Sequence, residues 1–296
     1  MSNDWTKYMD IAQIKKAGIG VLGAGQMGSG IAQVALACGL KVTLVDLSDS
    51  QLNHAQANIF KGLERWLEKG KLNSEELENA KKTLITTQEI SNFKQTAMVI
   101  EAATEDESLK LNLFQKLSNI CAKDTILATN TSSIPITKIA RQVVSPERVV
   151  GMHFMNPVPL MQLVEVIKAL QTSDQTCQII MEVSKMMGKT PIEVRDGFGF
   201  VANRILLPMI NEAIYVLYES GAEAKAIDDI MRLGMNHPIG PLALADMIGL
   251  DTCLSVMEVL YQGFNDSKYR PCPLLKQMVD AGYLGKKSKQ GFYIYQ

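Results

Sequence analysis

The sequence predicts an α/β protein with a doubly wound sheet in its N-terminal part and an all-helical C-terminal part. Short β-branched segments alternate with helical segments through most of the chain, as in sheets whose strands are joined by crossover helices. Beyond Asp196-Gly197-Phe198-Gly199 every long segment has helical periodicity. A chain of 296 residues can form two domains with separate cores. We therefore predict a first domain over residues 1–197 and a second over residues 198–296.

The first strand, helix and strand surround a glycine-rich turn. Residues 19–22 are an apolar strand, residues 30–38 have helical spacing, and residues 41–46 are a β-branched strand. The turn is Gly23-Ala24-Gly25-Gln26-Met27-Gly28. Its glycines allow a tight bend, the approach of backbone amides to a pyrophosphate, and close packing of the helix on the strand. This is half of a Rossmann motif, and it predicts a bound dinucleotide.

Asp46 indicates which dinucleotide is bound. It ends the second strand, where a carboxylate can accept hydrogen bonds from the adenosine ribose. A carboxylate there would repel the 2′-phosphate of NADP, and the following Leu47-Ser48-Asp49-Ser50 contains no arginine. We therefore predict NAD. The alternative, a glycine turn that binds nothing, is disfavoured because the strand, the helix and Asp46 all accompany the turn.

The remaining elements follow the same alternation. Residues 50–84 are helical and polar, and we interpret them as an insertion of two helices that projects from the sheet. The insertion breaks near Gly70, and Asn73-Ser74-Glu75-Glu76 caps its second helix. Further strands are predicted at residues 98–103, 125–130, 149–153, 163–167 and 190–194. Long helices of the second domain are predicted at residues 201–220, 224–233 and 250–261.

Composition argues against several classes of protein. The 30 basic and 31 acidic side chains nearly cancel, which argues against nucleic acid or an anionic membrane as partner. No segment approaches the roughly 18 apolar residues of a membrane helix. Residues 1–16, which include Asp4 and Lys7, show no targeting peptide, so we expect a soluble, cytoplasmic protein. Five scattered cysteines and three distant histidines predict neither disulfides nor a metal site.

Several further motifs follow in a fixed order. They are Asn130-Thr131-Ser132-Ser133, residues 151–157, residues 163–167, Val201-Ala202-Asn203-Arg204, residues 211–213, residues 233–241 and residues 291–293. Together with the glycine turn they resemble the short 3-hydroxyacyl-CoA dehydrogenases, in particular the bacterial 3-hydroxybutyryl-CoA enzymes that are not part of a larger chain. The resemblance implies NAD-linked interconversion of a (3S)-hydroxyacyl-CoA and a 3-oxoacyl-CoA. It also implies an acyl-CoA thioester substrate and a homodimer formed through the helical domain.

His153 and Glu165 are the candidate acid-base pair. His153 ends one strand and Glu165 lies in the next, so the loop Asn156-Pro157-Val158-Pro159 could bring the carboxylate beside the imidazole. A neutral imidazole held by a carboxylate can remove a hydroxyl proton near pH 7. A histidine at a strand end is more often structural, but the resemblance assigns His153 the role of base and Glu165 that of its orienting partner.

The resemblance also assigns the remaining site residues. Ser132 and Asn203 would hydrogen-bond the reacting oxygens, although their positions alone suggest a turn or helix cap and a packing contact between domains. Asn156 would brace the site, in contact with either His153 or substrate. The residues expected beside the cofactor are Gly23, Gly25, Gln26, Met27, Gly28, Asp46, Glu105, Lys110, Ser132 and Asn156.

Two positions depart from the family pattern. Asp106 stands where the family commonly has asparagine, which adds a negative charge near the nicotinamide side of the site. Phe198 stands where a proline usually precedes Gly-Phe, which favours a looser hinge.

Lys61, Arg65 and Lys69 recur every four residues along one edge of a helix in the inserted segment. We predict that Lys61 and Arg65 contact the CoA phosphates, although such spacing is also normal on a solvated helix face.

Two other functions remain open. A dehydrogenase of free hydroxy acids, of the gulonate or carnitine type, would use the same scaffold without a CoA phosphate site. A non-catalytic NAD(H)-binding protein, like the lens crystallins recruited from this superfamily, would retain the fold without turnover.

Overall fold

The computed structural model describes residues 10–296 of the chain. Residues 1–9 lie outside the described residues, and with them Asp4 and Lys7 of the predicted N-terminal segment. The chain divides into two compact units, the first ending at Asp196 and the second beginning at Gly197. No helix of the described part of the chain is both long and apolar enough to cross a membrane.

The first unit is built on one eight-stranded sheet. Its strands are β1 Ile19–Leu22, β2 Val42–Val45, β3 Leu84–Thr87, β4 Met98–Glu101, β5 Ile126–Thr129, β6 Val149–Phe154, β7 Leu163–Lys168 and β8 Thr190–Arg195. Across the sheet they follow the order β3-β2-β1-β4-β5-β6-β7-β8. All neighbours are parallel except β6 and β7, which are antiparallel. The order of the first six strands is that of a Rossmann sheet, and the predicted fold class is confirmed.

Seven α-helices accompany the sheet in the described part of the first unit. They are α1 Ile11–Ala17, α2 Gln26–Ala37, α3 Asp49–Glu68, α4 Ser74–Thr83, α5 Glu107–Ile120, α6 Ile136–Ala140 and α7 Asp174–Met186. The apolar residues of β1 and β4 are fully buried between them. Because both faces of these strands are buried, their sequences are continuous apolar runs and do not alternate with polar residues.

Helix α2 begins earlier than the sequence predicts. It starts at Gln26, inside the glycine turn, and not at residue 30. Glycine disfavours a helix interior, so the sequence pattern hides this first turn. Gly28 is nevertheless required there, because a Cβ at this position would lie 1.8 Å from the carbonyl oxygen of Gly23.

The predicted insertion needs a correction. Its two helices, α3 and α4, are present, and Asn73 and Glu76 form the capping box of α4. The pair does not simply project from the sheet, however. Leu52, Ile59 and Leu63 of α3 are buried in the same core as the sheet, and the pair is the crossover from β2 to β3. Strand β3 was not predicted because it is a four-residue edge strand directly after α4.

The second unit is helical. Its helices are α8 Ala202–Tyr218, α9 Ala224–Gly234, α10 Pro241–Ile248, α11 Leu250–Phe264 and α12 Pro273–Asp280. Leu207, Leu242 and Met257 lie in their common core. Helices α8, α9 and α11 match the predicted segments within a few residues. Helices α10 and α12 were not predicted because each has only eight residues.

Candidate active site

The glycine turn joins β1 to α2 at the carboxyl edge of the sheet. Gly23 has a φ of 105°, and a Cβ there would lie 2.7 Å from the carbonyl oxygen of Ala102. Gly25 differs, because a Cβ on it would meet nothing within 4 Å. It is the N-cap of α2 and offers no side-chain cap. The space in front of these backbone amides is therefore left open to an anion such as a pyrophosphate.

A cavity of about 390 Å³ lies beside this turn. Gly25 and Gln26 line one side of it, and Asn156 with the following prolines lines another. Met27, predicted beside the cofactor, is half-buried and packs against the core of the first unit. Of the predicted cofactor residues, Gly25, Gln26 and Asn156 thus line this cavity, whereas Met27 does not.

Asp46 follows β2 and is bonded to the turn. Its Oδ2 accepts a hydrogen bond from the Ala24 amide at 2.8 Å, and its Oδ1 accepts one from the Ser48 amide at 3.0 Å. Each carboxylate oxygen can accept more than one hydrogen bond. Asp46 therefore braces the glycine turn and retains capacity for a ribose hydroxyl.

His153 and Glu165 face each other across β6 and β7. They are register partners in this antiparallel pair, and His153 Nδ1 lies 2.8 Å from Glu165 Oε2. Both side chains are buried, with relative exposures of 7% and 2%. When Nδ1 donates its proton to the carboxylate, Nε2 carries the basic lone pair. The loop predicted to bring the two groups together does so.

The loop between β6 and β7 is held by Asn130 and Lys189, two residues to which the sequence analysis assigns no role. Asn130 Oδ1 accepts a hydrogen bond from the Phe154 amide at 2.9 Å. The buried Lys189 ammonium donates to the Val158 carbonyl and, at 2.9 Å, to the Met161 carbonyl. Burial, with a smaller effect of Lys71, lowers the pKa of Lys189. Both contacts join residues far apart in the chain, so no local pattern indicates them.

Ser132 lies in the turn after β5, and Glu105 binds this turn. Glu105 Oε1 accepts hydrogen bonds from Thr131 Oγ1 at 2.5 Å, from the Ser132 amide at 3.0 Å and from Ser133 Oγ at 2.8 Å. Burial raises the pKa of Glu105, but the Lys110 ammonium and these hydrogen bonds outweigh burial and hold the pKa below its usual range. Glu105 is therefore ionised and orients the turn.

Lys110 lies between two carboxylates. Its ammonium is 2.7 Å from Glu101 Oε1 and 3.5 Å from Glu105 Oε2, and its side chain is only 1% exposed. The ammonium also donates to the Ala103 carbonyl at 3.1 Å, and the approach of Lys110 to the cofactor stays a prediction. Asp106, the departure from the family pattern, is the N-cap of α5 and accepts a hydrogen bond from the Leu109 amide at 2.7 Å. Its extra charge thus lies at the positive end of a helix.

The predicted site residue Asn203 and the departure Phe198 both lie in the second unit. Asn203 is the second residue of α8 and is half-buried. Phe198 packs edge-to-face against Phe264, with ring centroids 5.3 Å apart. The looser hinge expected from Phe198 stays a prediction.

Lys61, Arg65 and Lys69 are exposed along α3 and its C-cap. This exposure suits both a phosphate contact and a solvated face.

The comparisons with known proteins cover both units. Residues 18–197 match the family model described as 3-hydroxyacyl-CoA dehydrogenase, NAD binding domain, and residues 199–295 match 3-hydroxyacyl-CoA dehydrogenase, C-terminal domain. The chain belongs to the 3-hydroxyacyl-CoA dehydrogenase family. The predicted resemblance and the predicted NAD cofactor are confirmed.

Individual relatives agree with this membership. A protein of Bacillus subtilis named probable 3-hydroxybutyryl-CoA dehydrogenase is 53% identical over 97% of this chain and 99% of its own. The 3-hydroxybutyryl-CoA dehydrogenase of Bradyrhizobium diazoefficiens is 47% identical over 96% of this chain and 97% of its own. The crystal structure of (S)-3-hydroxybutyryl-CoA dehydrogenase from Ralstonia eutropha has a TM-score of 0.91 and 50% identity, covering 94% of this chain and 98% of that one.

Proposed function

We propose that this chain interconverts (3S)-hydroxybutyryl-CoA and acetoacetyl-CoA as a member of this NAD-dependent family. The buried His153–Glu165 pair carries the proposal, because it places an oriented base at the carboxyl edge of a Rossmann sheet. The names of the relatives that match over nearly their full length support the choice of substrate.

His153 is the proposed acid-base residue. NAD, when bound at the glycine turn, would supply the acceptor for the hydride of substrate carbon 3. In this reaction Nε2 of His153 takes the hydroxyl proton of the substrate, and the ring becomes an imidazolium. Glu165, 2.8 Å from Nδ1, stabilises that positive charge and keeps Nε2 directed at the substrate. In the opposite direction the imidazolium returns the proton to the carbonyl oxygen.

Ser132 and Asn203 are proposed to hold the reacting oxygens where negative charge develops. The bond of 3.0 Å between the Ser132 amide and Glu105 supports this for Ser132, because it sets the orientation of the turn. For Asn203 the support is the family resemblance. We assign Gly25, Gln26 and Asp46 to the cofactor on the geometry of the turn and cavity.

Three finer assignments belong to the same proposal. Residues 1–197 would be the NAD-binding domain, and residues 198–296 would be the substrate and dimerisation domain. Exposed apolar side chains on α8 and α9, such as Ile205 and Leu233, support the dimer. Lys61 and Arg65 would contact the CoA phosphates, which their exposure allows. A cytoplasmic location stays a prediction.

NADH oxidation measured with acetoacetyl-CoA beside free acetoacetate tests the substrate class. We expect turnover of the thioester and at most weak turnover of the free acid. The reverse preference would favour a dehydrogenase of free hydroxy acids. Tight NADH binding without turnover of any 3-oxoacyl-CoA would favour a non-catalytic protein.

A further inference from the structure

We propose that Glu101 is a positioning residue for this reaction and holds the turn that carries Ser132 through two separate chains of polar contacts, one of which includes the ion pair of Lys110 with Glu105. The inference rests on the proposed function, since the role of Ser132 in that reaction gives the turn its importance. Glu101 has no role among the site residues that the sequence predicts.

Glu101 is a buried carboxylate with hydrogen bonds on both of its oxygens. It is the last residue of β4, and its side chain is 0% exposed. Its Oε1 accepts hydrogen bonds from Lys110 Nζ and the Ala103 amide, both at 2.7 Å, and its Oε2 accepts one from Thr129 Oγ1, also at 2.7 Å. A carboxylate is costly to bury unless it is paired and hydrogen-bonded, and here both conditions hold. Glu101 can therefore influence the reaction only through its partners.

The first chain runs through Lys110 and Glu105. The Lys110 ammonium donates to Glu101 Oε1 and lies 3.5 Å from Glu105 Oε2. The other oxygen of Glu105 accepts hydrogen bonds from the Ser132 amide and from the hydroxyl groups of Thr131 and Ser133. Lys110 thus fixes the Glu105 carboxylate, which accepts the hydrogen bonds of the turn.

The second chain runs through Thr129. Its Oγ1 donates to Glu101 Oε2 at 2.7 Å and accepts a hydrogen bond from the Thr131 amide at 3.2 Å. Thr129 is the last residue of β5, directly before the turn. The two oxygens of Glu101 therefore serve different routes to the same turn, and the second route enters it at the Thr131 amide.

The first chain also controls the charge of Glu105. The charged groups around Glu105 are Lys110, the carboxylate of Glu101, and Asp106 and Glu107 at the start of α5. Lys110 supplies the positive charge beside Glu105. Lys138 of α6 pairs instead with Glu107 at the surface. Without Lys110, Glu105 would take up a proton at higher pH and lose acceptor capacity for the turn.

Four variants test the inference: Glu101→Gln, Lys110→Met, Thr129→Val and the matched control Thr125→Val. Thr125 is also buried at an end of β5, but its hydroxyl donates to the Thr96 carbonyl at the opposite edge of the sheet. Steady-state kinetics with acetoacetyl-CoA across pH is combined with amide hydrogen exchange of residues 129–134 in the protein without cofactor.

We expect Glu101→Gln and Lys110→Met to lower kcat by roughly 10- to 100-fold, with little change in KM for acetoacetyl-CoA, because a small displacement of Ser132 costs transition-state contacts. In Lys110→Met the acid limb of the pH profile should move to higher pH by about 1 to 3 units. Thr129→Val should lower kcat less. In all three the amides of residues 131–133 should exchange faster than in wild type and in Thr125→Val.

Two kinds of failure are distinguishable. If wild type does not turn over acetoacetyl-CoA, the proposed function is wrong, and unchanged exchange of residues 131–133 would then overturn the positioning role as well. If wild type is active but the folded variants keep its kcat, pH profile and exchange, Glu101 does not position the turn. Glu101→Gln or Lys110→Met alone leaves one buried charge without its partner and could fail to fold. In that case the double variant Glu101→Gln/Lys110→Met, which removes both charges, decides the question together with Thr129→Val.

Discussion

At the residue scale, the register of β6 and β7 brings His153 and Glu165 together, because the two residues are direct partners in an antiparallel pair. A slip of one residue would turn one side chain to the other face of the sheet. The sequence predicted this contact because both strands and the connecting loop are visible in it. It did not predict Glu101 as a centre of hydrogen bonds, because its partners come from three different elements.

Replacing Glu165 by glutamine should remove most of the activity without unfolding the chain. The amide keeps the shape of the side chain but cannot stabilise an imidazolium, so we expect kcat to fall by about 100-fold or more. Glu193→Gln is the matched control, since Glu193 lies exposed on the neighbouring strand β8. Equal kcat in the two variants would contradict the orienting role.

Glu105 should make the first unit sensitive to acid. Its pKa lies below the ordinary value of 4.5 in the folded chain, so ionised Glu105 stabilises the fold above that value. This stabilisation is lost as the pH falls through the lower, folded-state pKa. Urea unfolding of wild type and Glu105→Gln at several pH values measures it. The stability difference should be largest near neutral pH and shrink below about pH 4; a constant difference would contradict the account.

At the scale of elements, the glycines of the turn have different roles. Gly28 is required by the fold, whereas Gly25 is available to the ligand. A Cβ on Gly28 would meet the Gly23 carbonyl at 1.8 Å, whereas a Cβ on Gly25 would meet nothing. Gly28→Ala should therefore lower Tm. Gly25→Ala should keep Tm but weaken NADH binding by at least about tenfold, about 1.4 kcal/mol. NADH fluorescence titration beside thermal unfolding measures both, and unchanged affinity in Gly25→Ala would argue against a pyrophosphate at this turn.

The elements that the sequence predicted well are those with strong periodicity or clear end signals. The first strand unit and the capping box of α4 are examples. Strand β3 and helix α10 were missed because each is short and its formation depends on a neighbour: β3 pairs with β2, and α10 is capped by the buried Asp228 carboxylate. Such elements are specified by tertiary contacts that no window of sequence shows.

At the scale of the whole molecule, the proposed homodimer depends on the helical unit. Leu233 of α9 is 82% exposed, and Ile230, three residues before it on the same helix face, is 60% exposed, so the two form an apolar patch that a partner could cover. Wild type should have about twice the chain mass of 32.6 kDa in light scattering. Leu233→Glu should shift the protein toward the monomer, whereas Leu170→Glu, at an 88% exposed position of the first unit, should not. A monomeric wild type would contradict the dimer.

The central claim is that His153 transfers the proton while NAD(H) and a 3-oxoacyl-CoA exchange hydride. Its most direct test is the kcat of NADH oxidation with acetoacetyl-CoA for wild type and His153→Ala, with NADH affinity measured in parallel. We predict that the variant binds NADH as wild type does and loses at least about 100-fold in kcat. Near-normal turnover by His153→Ala would contradict the account.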